Sequence, residues 1–421
     1  MVYIYILDMK FFYTEDGLYT IFTAQPENEL ETEGFRAQGP YSIIQLQNRE
    51  LKVKYRTIKK LHPDIIAAIC ITAFYPFIHT TATMPFPVSI KFASGLKMEV
   101  LPQHAVIDGI YRATEPIVIT NIDSDLQSYE KGDNDVIAYG GGVDSTAIAC
   151  MFPEYDLIHS TREHNPNIRI KTFVEENLKN PIHIIESNCE HISSPSGFTT
   201  FTNIYISPLI LTADLNIRNI LCGSILEATC LSNGYKYFPQ FDITRRNRWE
   251  RFYNHIGLYM FSPISGCSEL ITSKIVYEHN LHTKVMYCES NQGGPCNKCS
   301  KCLRKQLEFF YRGASFDFNT TYNTTCIQKY ITHKPVCLPI FIEIIKNKYE
   351  LLPAYLCDPI REKYGHINTE MFTRIYTKSF DYFPNEIKSE IIDQLSMYAD
   401  QMSNEDEQYV ENWDISRRIL R

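Results

Sequence analysis

Basic residues are in deficit in this sequence: 41 Lys and Arg face 49 Asp and Glu, for a formal net charge of −8. That balance excludes a general nucleic-acid coat, although a local basic groove remains compatible with it. Long hydrophobic runs are missing too. The longest, Ile65 to Phe74, lies between Asp64 and Pro76 and is too short to span a bilayer. The opening Met1-Val2-Tyr3-Ile4 has no basic n-region and no cleavage signature, so no signal peptide and a cytoplasmic location are expected. In that compartment 13 cysteines, an odd number, do not read as a disulfide framework. No Ser/His/Asp arrangement, internal repeat or low-complexity tract is visible. What is present is a globular profile: 44% hydrophobic and 21% charged residues, 28 Tyr and 24 Phe, in a length that allows two or three domains.

The chain is organised around Asp135-Val136-Ile137-Ala138-Tyr139 and the Gly140-Gly141-Gly142-Val143-Asp144-Ser145 that follows. An apolar β-run ends in three glycines, and Asp144-Ser145-Thr146 opens a helical pattern with Ala147, Ile148 and Met151 on one side. A strand that ends in glycines and feeds a helix N-terminus is a phosphate cradle. Without Cβ atoms the backbone N–H groups can converge on an anion, and the helix dipole adds positive potential. Ser145 and Thr146 offer hydroxyls, and Asp144 can orient the loop or a Mg²⁺ ion. A Walker A loop is excluded, because its spacing and its lysine are missing. A ligand-free strand-to-helix turn is the competing reading.

Residues 1–130 read as a β-rich unit. Asp16-Gly17 between Phe11-Phe12-Tyr13 and Leu18-Tyr19-Thr20-Ile21 predicts a hairpin. Alternation of Val88, Ile90 and Phe92 before Ser94-Gly95, and of Leu96, Met98 and Val100 after it, predicts a second. Between them Pro63 opens a buried helix through Ile65–Phe74. This unit reads as a packing or oligomerisation domain, or as a lid or partner-recognition module for the site downstream. A polar linker, Tyr129 to Asn134, marks a boundary. Residues 131–315 then alternate strand and helix: strands at 155–159, 181–186 and 217–221, helices at 167–178 and 204–215. That alternation predicts an α/β fold with a doubly wound parallel sheet. Ligands in such sheets sit at the carboxyl ends of the strands, which places the glycine loop, Ser160 to His164 and Gly223 to Glu227 on one rim. Arg162, His164, Gly223 and Glu227 are therefore candidates for substrate or nucleotide contact, with surface polar loops as the alternative. Residues 316–421 read as helical: Ile387, Ile391, Ile392, Leu395 and Tyr398 form a packing stripe. The acidic run Glu405-Asp406-Glu407 reads as solvated surface. So does the basic-aromatic stretch Arg245, Arg246, Arg248, Trp249, Arg251 and Phe252, with nucleic-acid binding its less favoured alternative.

Cys288, Cys296, Cys299 and Cys302 are spaced C-x7-C-x2-C-x2-C. Two-residue gaps let neighbouring thiolates turn toward one ion, and the longer gap brings the first ligand from another segment. Four thiolates close a tetrahedral structural zinc site, with no open position for a substrate. An Fe–S cluster is a weaker competitor. Lys298, Lys301, Arg304 and Lys305 are expected to offset the thiolate charge.

The glycine loop resembles the S-G-G-x-D-S loop of PP-loop ATP pyrophosphatases at Gly141, Gly142, Asp144 and Ser145. Together with the cysteines, over about residues 134–306, it resembles the 7-cyano-7-deazaguanine synthase family of the queuosine pathway. Gly140 stands where that family has serine, and the lysine the family usually carries near Glu269 is missing. The resemblance implies a PP-loop fold of HUP-like type and an ATP-dependent C–N ligase releasing AMP and pyrophosphate. It implies ATP with Mg²⁺ and a 7-deazaguanine carboxylate as ligands. Tyr139, Gly140, Gly141, Gly142, Val143, Asp144, Ser145 and Thr146 would bind ATP and pyrophosphate, with Asp144 and Ser145 catalytic. Relatives in anti-phage systems imply a protein amine as an alternative acceptor. A tRNA-modifying PP-loop enzyme and a non-catalytic nucleotide-binding scaffold remain further readings, and a homodimer is compatible with all of them.

Overall fold

Strands β1 (Asp8–Asp16) and β2 (Tyr19–Pro26) pair antiparallel across the Asp16-Gly17 turn, as the sequence predicts. The computed structural model describes residues 8–27, 33–35, 43–74, 77–78, 81–99, 105–107, 110–112, 117–162, 168–194, 200–231, 234, 236–237, 252–288, 295–296, 299–316, 318 and 338–417. After the hairpin come β3 (Glu33–Phe35), β4 (Ile43–Leu46) and β5 (Glu50–Lys54). Helix α1 (Pro63–Phe74) follows and is buried from Asp64 onward. An all-round apolar helix needs cover on every side, and α1 has it between the sheet and a second buried helix.

Beyond β6 (Thr81–Thr83) and the two-residue β7 (Val88–Ser89), the expected second hairpin is absent. Residues Ile90–Glu99 form a helix, α2, instead. Phe92 and Leu96 are four apart, a spacing that suits a strand face and a helix face alike, and here both are fully buried on one helical side. Ser89 Oγ accepts from the Phe92 amide at 3.2 Å, which starts the helix. Gly95 marks a close approach rather than a turn: a Cβ there would lie 2.4 Å from His255 Cβ. Short strands β8 (Ala105–Ile107), β9 (Ile110–Arg112), β10 (Val118–Ile119) and β11 (Ile122–Asp123) complete this region.

The alternating half then matches the expected order: β12 (Asn134–Ala138), α3 (Val143–Met151), β13 (Asp156–Arg162), α4 (Ile168–Asn177), β14 (Ile182–Ser187), β15 (Ser193–Ser194), α5 (Thr200–Leu215) and β16 (Ile217–Cys222). Next come α6 (Leu226–Thr229), β17 (Tyr259–Phe261), α7 (Glu269–Glu278) and α8 (Ser300–Tyr311). Strands β14-β13-β12-β16-β17 are neighbours in that order and all run parallel. The two faces of β12 feed different cores: Ile137 and Tyr139 join α3, α4, α7 and α8, while Val136 and Ala138 join α1 and α5. Crossovers α3 and α4 thus lie on one face and α5 on the other, so the chain order reverses between β12 and β16.

The sheet does not stop at residue 130. Strand β5 pairs antiparallel with β14 through Lys54–Glu186 and Val53–Ser187, which makes one ten-stranded sheet, β10-β6-β1-β2-β5-β14-β13-β12-β16-β17. The α1–α5 core crosses the same line.

Helices α9 (Leu338–Lys348), α10 (Ala354–Tyr364), α11 (Asn385–Ser396) and α12 (Asn404–Glu411) make the C-terminal region helical, as expected. In α11 the stripe buries Ile391 and Leu395 against the core. The acidic run departs from the solvated reading. Asp406 closes a capping box with Ser403 and pairs with Arg374 at 2.6 Å, and Glu407 is buried beside Lys378. Among the described residues no helix is long and apolar enough to cross a membrane.

Candidate functional site

The glycine loop sits at the reversal between β12 and β16, the place where an open α/β sheet opens a crevice. Gly141 takes φ +75°, a conformation that favours glycine, and a Cβ there would also crowd Ile170 Cδ1 at 2.8 Å. A Cβ on Gly142 would meet nothing within 4 Å, so the space above the loop is open. Gly142 is the N-cap of α3 and supplies no side-chain cap. The first intrahelical amide is that of Thr146, bonded to Gly142 O at 3.0 Å. The amides of Val143, Asp144 and Ser145 therefore precede the helix ladder and face the crevice end. Across it, a Cβ on Gly223 would lie 3.1 Å from the Ser145 nitrogen. Glycine at 223 keeps these donors uncovered.

The loop is braced from below. Tyr139 Oη meets Thr146 Oγ1 at 3.1 Å, and the buried His159 ring holds Tyr139 O through Nδ1 at 2.8 Å. Ser145 Oγ donates to Gly142 O at 3.3 Å. Ser262 ties the neighbouring rim loop down: its Oγ accepts from Ser224 N at 2.9 Å and donates to Ser224 O at 2.7 Å.

Asp144 leads into a buried ionic cluster that sequence reasoning missed. Thr272 Oγ1 donates to Asp144 Oδ1 at 2.8 Å, and Lys305 Nζ lies 3.7 Å from the same oxygen. Lys305 is also 3.2 Å from Glu269 and 3.1 Å from Glu308, and Arg304 Nε is 3.0 Å from Glu269. Burial pushes the Glu269 carboxyl up, but Arg304 and Lys305 outweigh it and hold it well below the usual carboxylate range. Burial, reinforced by the Glu269 charge, raises Glu308. Burial opposes the charge on Lys305, yet Asp144, Glu269 and Glu308 together raise its pKa and keep it cationic. Glu227 is 1% exposed, and among the described residues neither of its carboxyl oxygens has a hydrogen-bond partner. Burial, then repulsion from Glu269, pushes it up to about 8. Arg304 and Lys305 thus serve carboxylates, not the thiolates that the sequence suggested. The signal available was the pair of charges inside α8, a helix otherwise apolar at Cys302, Leu303 and Leu307.

The four cysteines do come together. The sulfurs of Cys288, Cys296, Cys299 and Cys302 all lie within 4.8 Å of one another. Tetrahedral thiolate zinc, with Zn–S near 2.3 Å, requires S···S separations of about 3.8 Å, and Cys296 and Cys302 are 3.8 Å apart. Amides of Cys296, Cys299 and Cys302 point at the preceding sulfurs at 3.3–3.4 Å, donors that favour thiolates. The cluster can hold a metal ion, and its geometry is compatible with structural zinc. Cys299 is also the N-cap of α8, so the cysteine cluster sits at the start of the helix that carries Lys305.

Of the other expected residues, Arg162 ends β13 opposite Ser187. His164, the basic stretch 245–251 and Lys298 lie outside the described residues. Phe252, at the end of that stretch, is fully buried. No curated protein matches the chain. Residues 248–414, well under half of its length, match the sequence model of a family of unknown function, DUF6395, a span that includes the cysteines and Lys305 but not the glycine loop.

Proposed function

We propose that this protein is an ATP-dependent C–N ligase that activates the carboxylate of a 7-deazaguanine by adenylylation. The observation that carries this reading is the uncapped, glycine-lined N-terminus of α3 at the reversal of the sheet, with Asp144 beside a buried lysine. A carboxylate is inert toward amines. Its oxygen attacks the α-phosphorus of ATP, the bond to the bridging α–β oxygen breaks, and pyrophosphate leaves with that electron pair. The amides of Gly141, Gly142, Val143, Asp144 and Ser145 are placed to stabilise the charge that accumulates on it. Mg²⁺ arriving with ATP supplies further charge neutralisation, and Asp144 is the residue positioned to meet it. An amine then attacks the acyl carbon, AMP leaves, and the amine proton is released to water. Zinc at the cysteines is structural. The cytoplasm is the proposed location.

A second reading, a nucleotide-binding scaffold without turnover, is favoured by Gly140, which removes one hydroxyl from the loop pattern. Incubation with ATP, 7-carboxy-7-deazaguanine and ammonia separates the two. AMP, pyrophosphate and an amide or nitrile are expected. ADP and phosphate would overturn the ligase reading, and tight ATP binding with no product would support the scaffold.

A further inference from the structure

Lys305 is 2% exposed, and burying an ammonium is costly unless it is fully compensated. Glu269 and Glu308 hold it at 3.2 and 3.1 Å. Its third carboxylate neighbour is Asp144, at 3.7 Å, whose side chain is 27% exposed at the first turn of α3. The ammonium is therefore buried and lies beside the first residue pair of the helix that the glycine loop feeds. The loop has no cation of its own: no Lys, Arg or His occurs from Tyr139 to Met151. Anions with several charges, held by backbone amides alone, keep most of that charge uncompensated, and a lysine in a low-dielectric wall acts on them strongly.

We propose that Lys305, delivered from α8, is the cationic contact for the phosphates bound by the glycine loop. It rests at Asp144 when no anion is present and donates to phosphate oxygens when Mg²⁺-nucleotide engages that carboxylate. This rests on the nucleotide reading above. Lys305 lies one helical turn beyond Cys302, so the metal site fixes the helix that aims it.

Equilibrium titration of the full-length zinc-loaded chain with Mg²⁺-ATP, Mg²⁺-pyrophosphate and AMP tests the assignment. In Lys305→Met/Glu308→Gln, which removes the ammonium and replaces the carboxyl beside it with a neutral amide, affinity for pyrophosphate and ATP should fall roughly ten- to a hundredfold, the worth of a lost charge-assisted contact. AMP affinity should stay within about twofold, because it lacks the β and γ phosphates. Lys305→Arg should restore most of the loss. Unchanged pyrophosphate and ATP affinity in a double variant that keeps zinc and melts cooperatively would overturn the role of Lys305 alone. Failure of the wild-type protein to bind any of the three ligands would instead overturn the nucleotide reading. Crystals of the wild-type protein grown with Mg²⁺-pyrophosphate decide the geometry even where variants fold poorly. Nζ within hydrogen-bond distance of a phosphate oxygen is expected, and pyrophosphate in the loop with Lys305 still on Asp144 would contradict it.

Discussion

Glu227 is the residue whose environment most sharply constrains the rim of the crevice. It is buried beside Glu269 with no hydrogen-bond partner for either oxygen among the described residues, and burial and the Glu269 charge favour the neutral acid. An unfolded chain holds this carboxyl ionised above the ordinary range near 4.3, whereas the folded chain keeps the proton up to about 8. Across that window the folded state binds more protons, so Glu227 makes stability fall as pH rises, by up to about 1.4 kcal/mol per unit, before levelling off. Glu308, also raised, works in the same sense. Glu269, lowered by its cations, contributes stability above the ordinary carboxylate range that is lost as pH falls. Glu227→Gln should therefore flatten the decline and be more stable than wild type at pH 8, read by chemical denaturation across the range. Parallel curves for the two proteins would show that Glu227 is ionised in the fold. Of this cluster only the pair of charges inside α8 leaves a local mark in the sequence. Its members come from positions 227, 269 and 304–308, and charges on a helix ordinarily read as a solvated face. The glycine loop and the cysteine spacing are legible, because each is a short contiguous pattern whose chemistry needs no distant partner.

Among the elements, α8 joins the two chemistries. Its N-cap is one cysteine, its first turn carries another, and the turns after it carry Arg304, Lys305 and Glu308. Removing the metal should release that helix end and uncover buried charge. Cys299→Ser is expected to lose its zinc, measured by elemental analysis, and to destabilise the fold by on the order of 3 kcal/mol or more. Full stability without metal would make the cysteines ordinary core residues. Helix α2 shows why the sequence pattern misled at 88–100: Phe92 and Leu96 satisfy both periods, and Gly95 is as good a turn residue as a contact residue. Its role is now testable. Gly95→Ala puts a methyl against His255 and should cost about 1–3 kcal/mol by overpacking, read by chemical denaturation, and unchanged stability would contradict the close approach. Strands β12, β13, β14 and β16 were legible because each is a short apolar run bounded by turn residues, and helices α3, α4 and α5 between them fix a parallel sheet.

For the whole molecule, the N-terminal strands extend the same sheet that carries the loop, through β5 on β14. Strand pairing across more than a hundred residues leaves no mark in composition, which is why residues 1–130 look self-contained as sequence. Deletion of residues 1–130 should expose the β14 edge and the apolar face of α5, giving insoluble protein, whereas recovery of a soluble, zinc-containing monomer would show that the α/β unit folds alone. The sheet matters to function because it sets the crevice between β12 and β16, where phosphate chemistry is proposed. Exchange of labelled pyrophosphate into ATP in the presence of 7-carboxy-7-deazaguanine tests that proposal most directly. Label should enter ATP only when the carboxylate is present, and Asp144→Ala should lower the rate by about a hundredfold or more with zinc content unchanged. Exchange that persists undiminished in Asp144→Ala, or ADP formation with no exchange at all, would contradict the placement of adenylylation at the glycine loop.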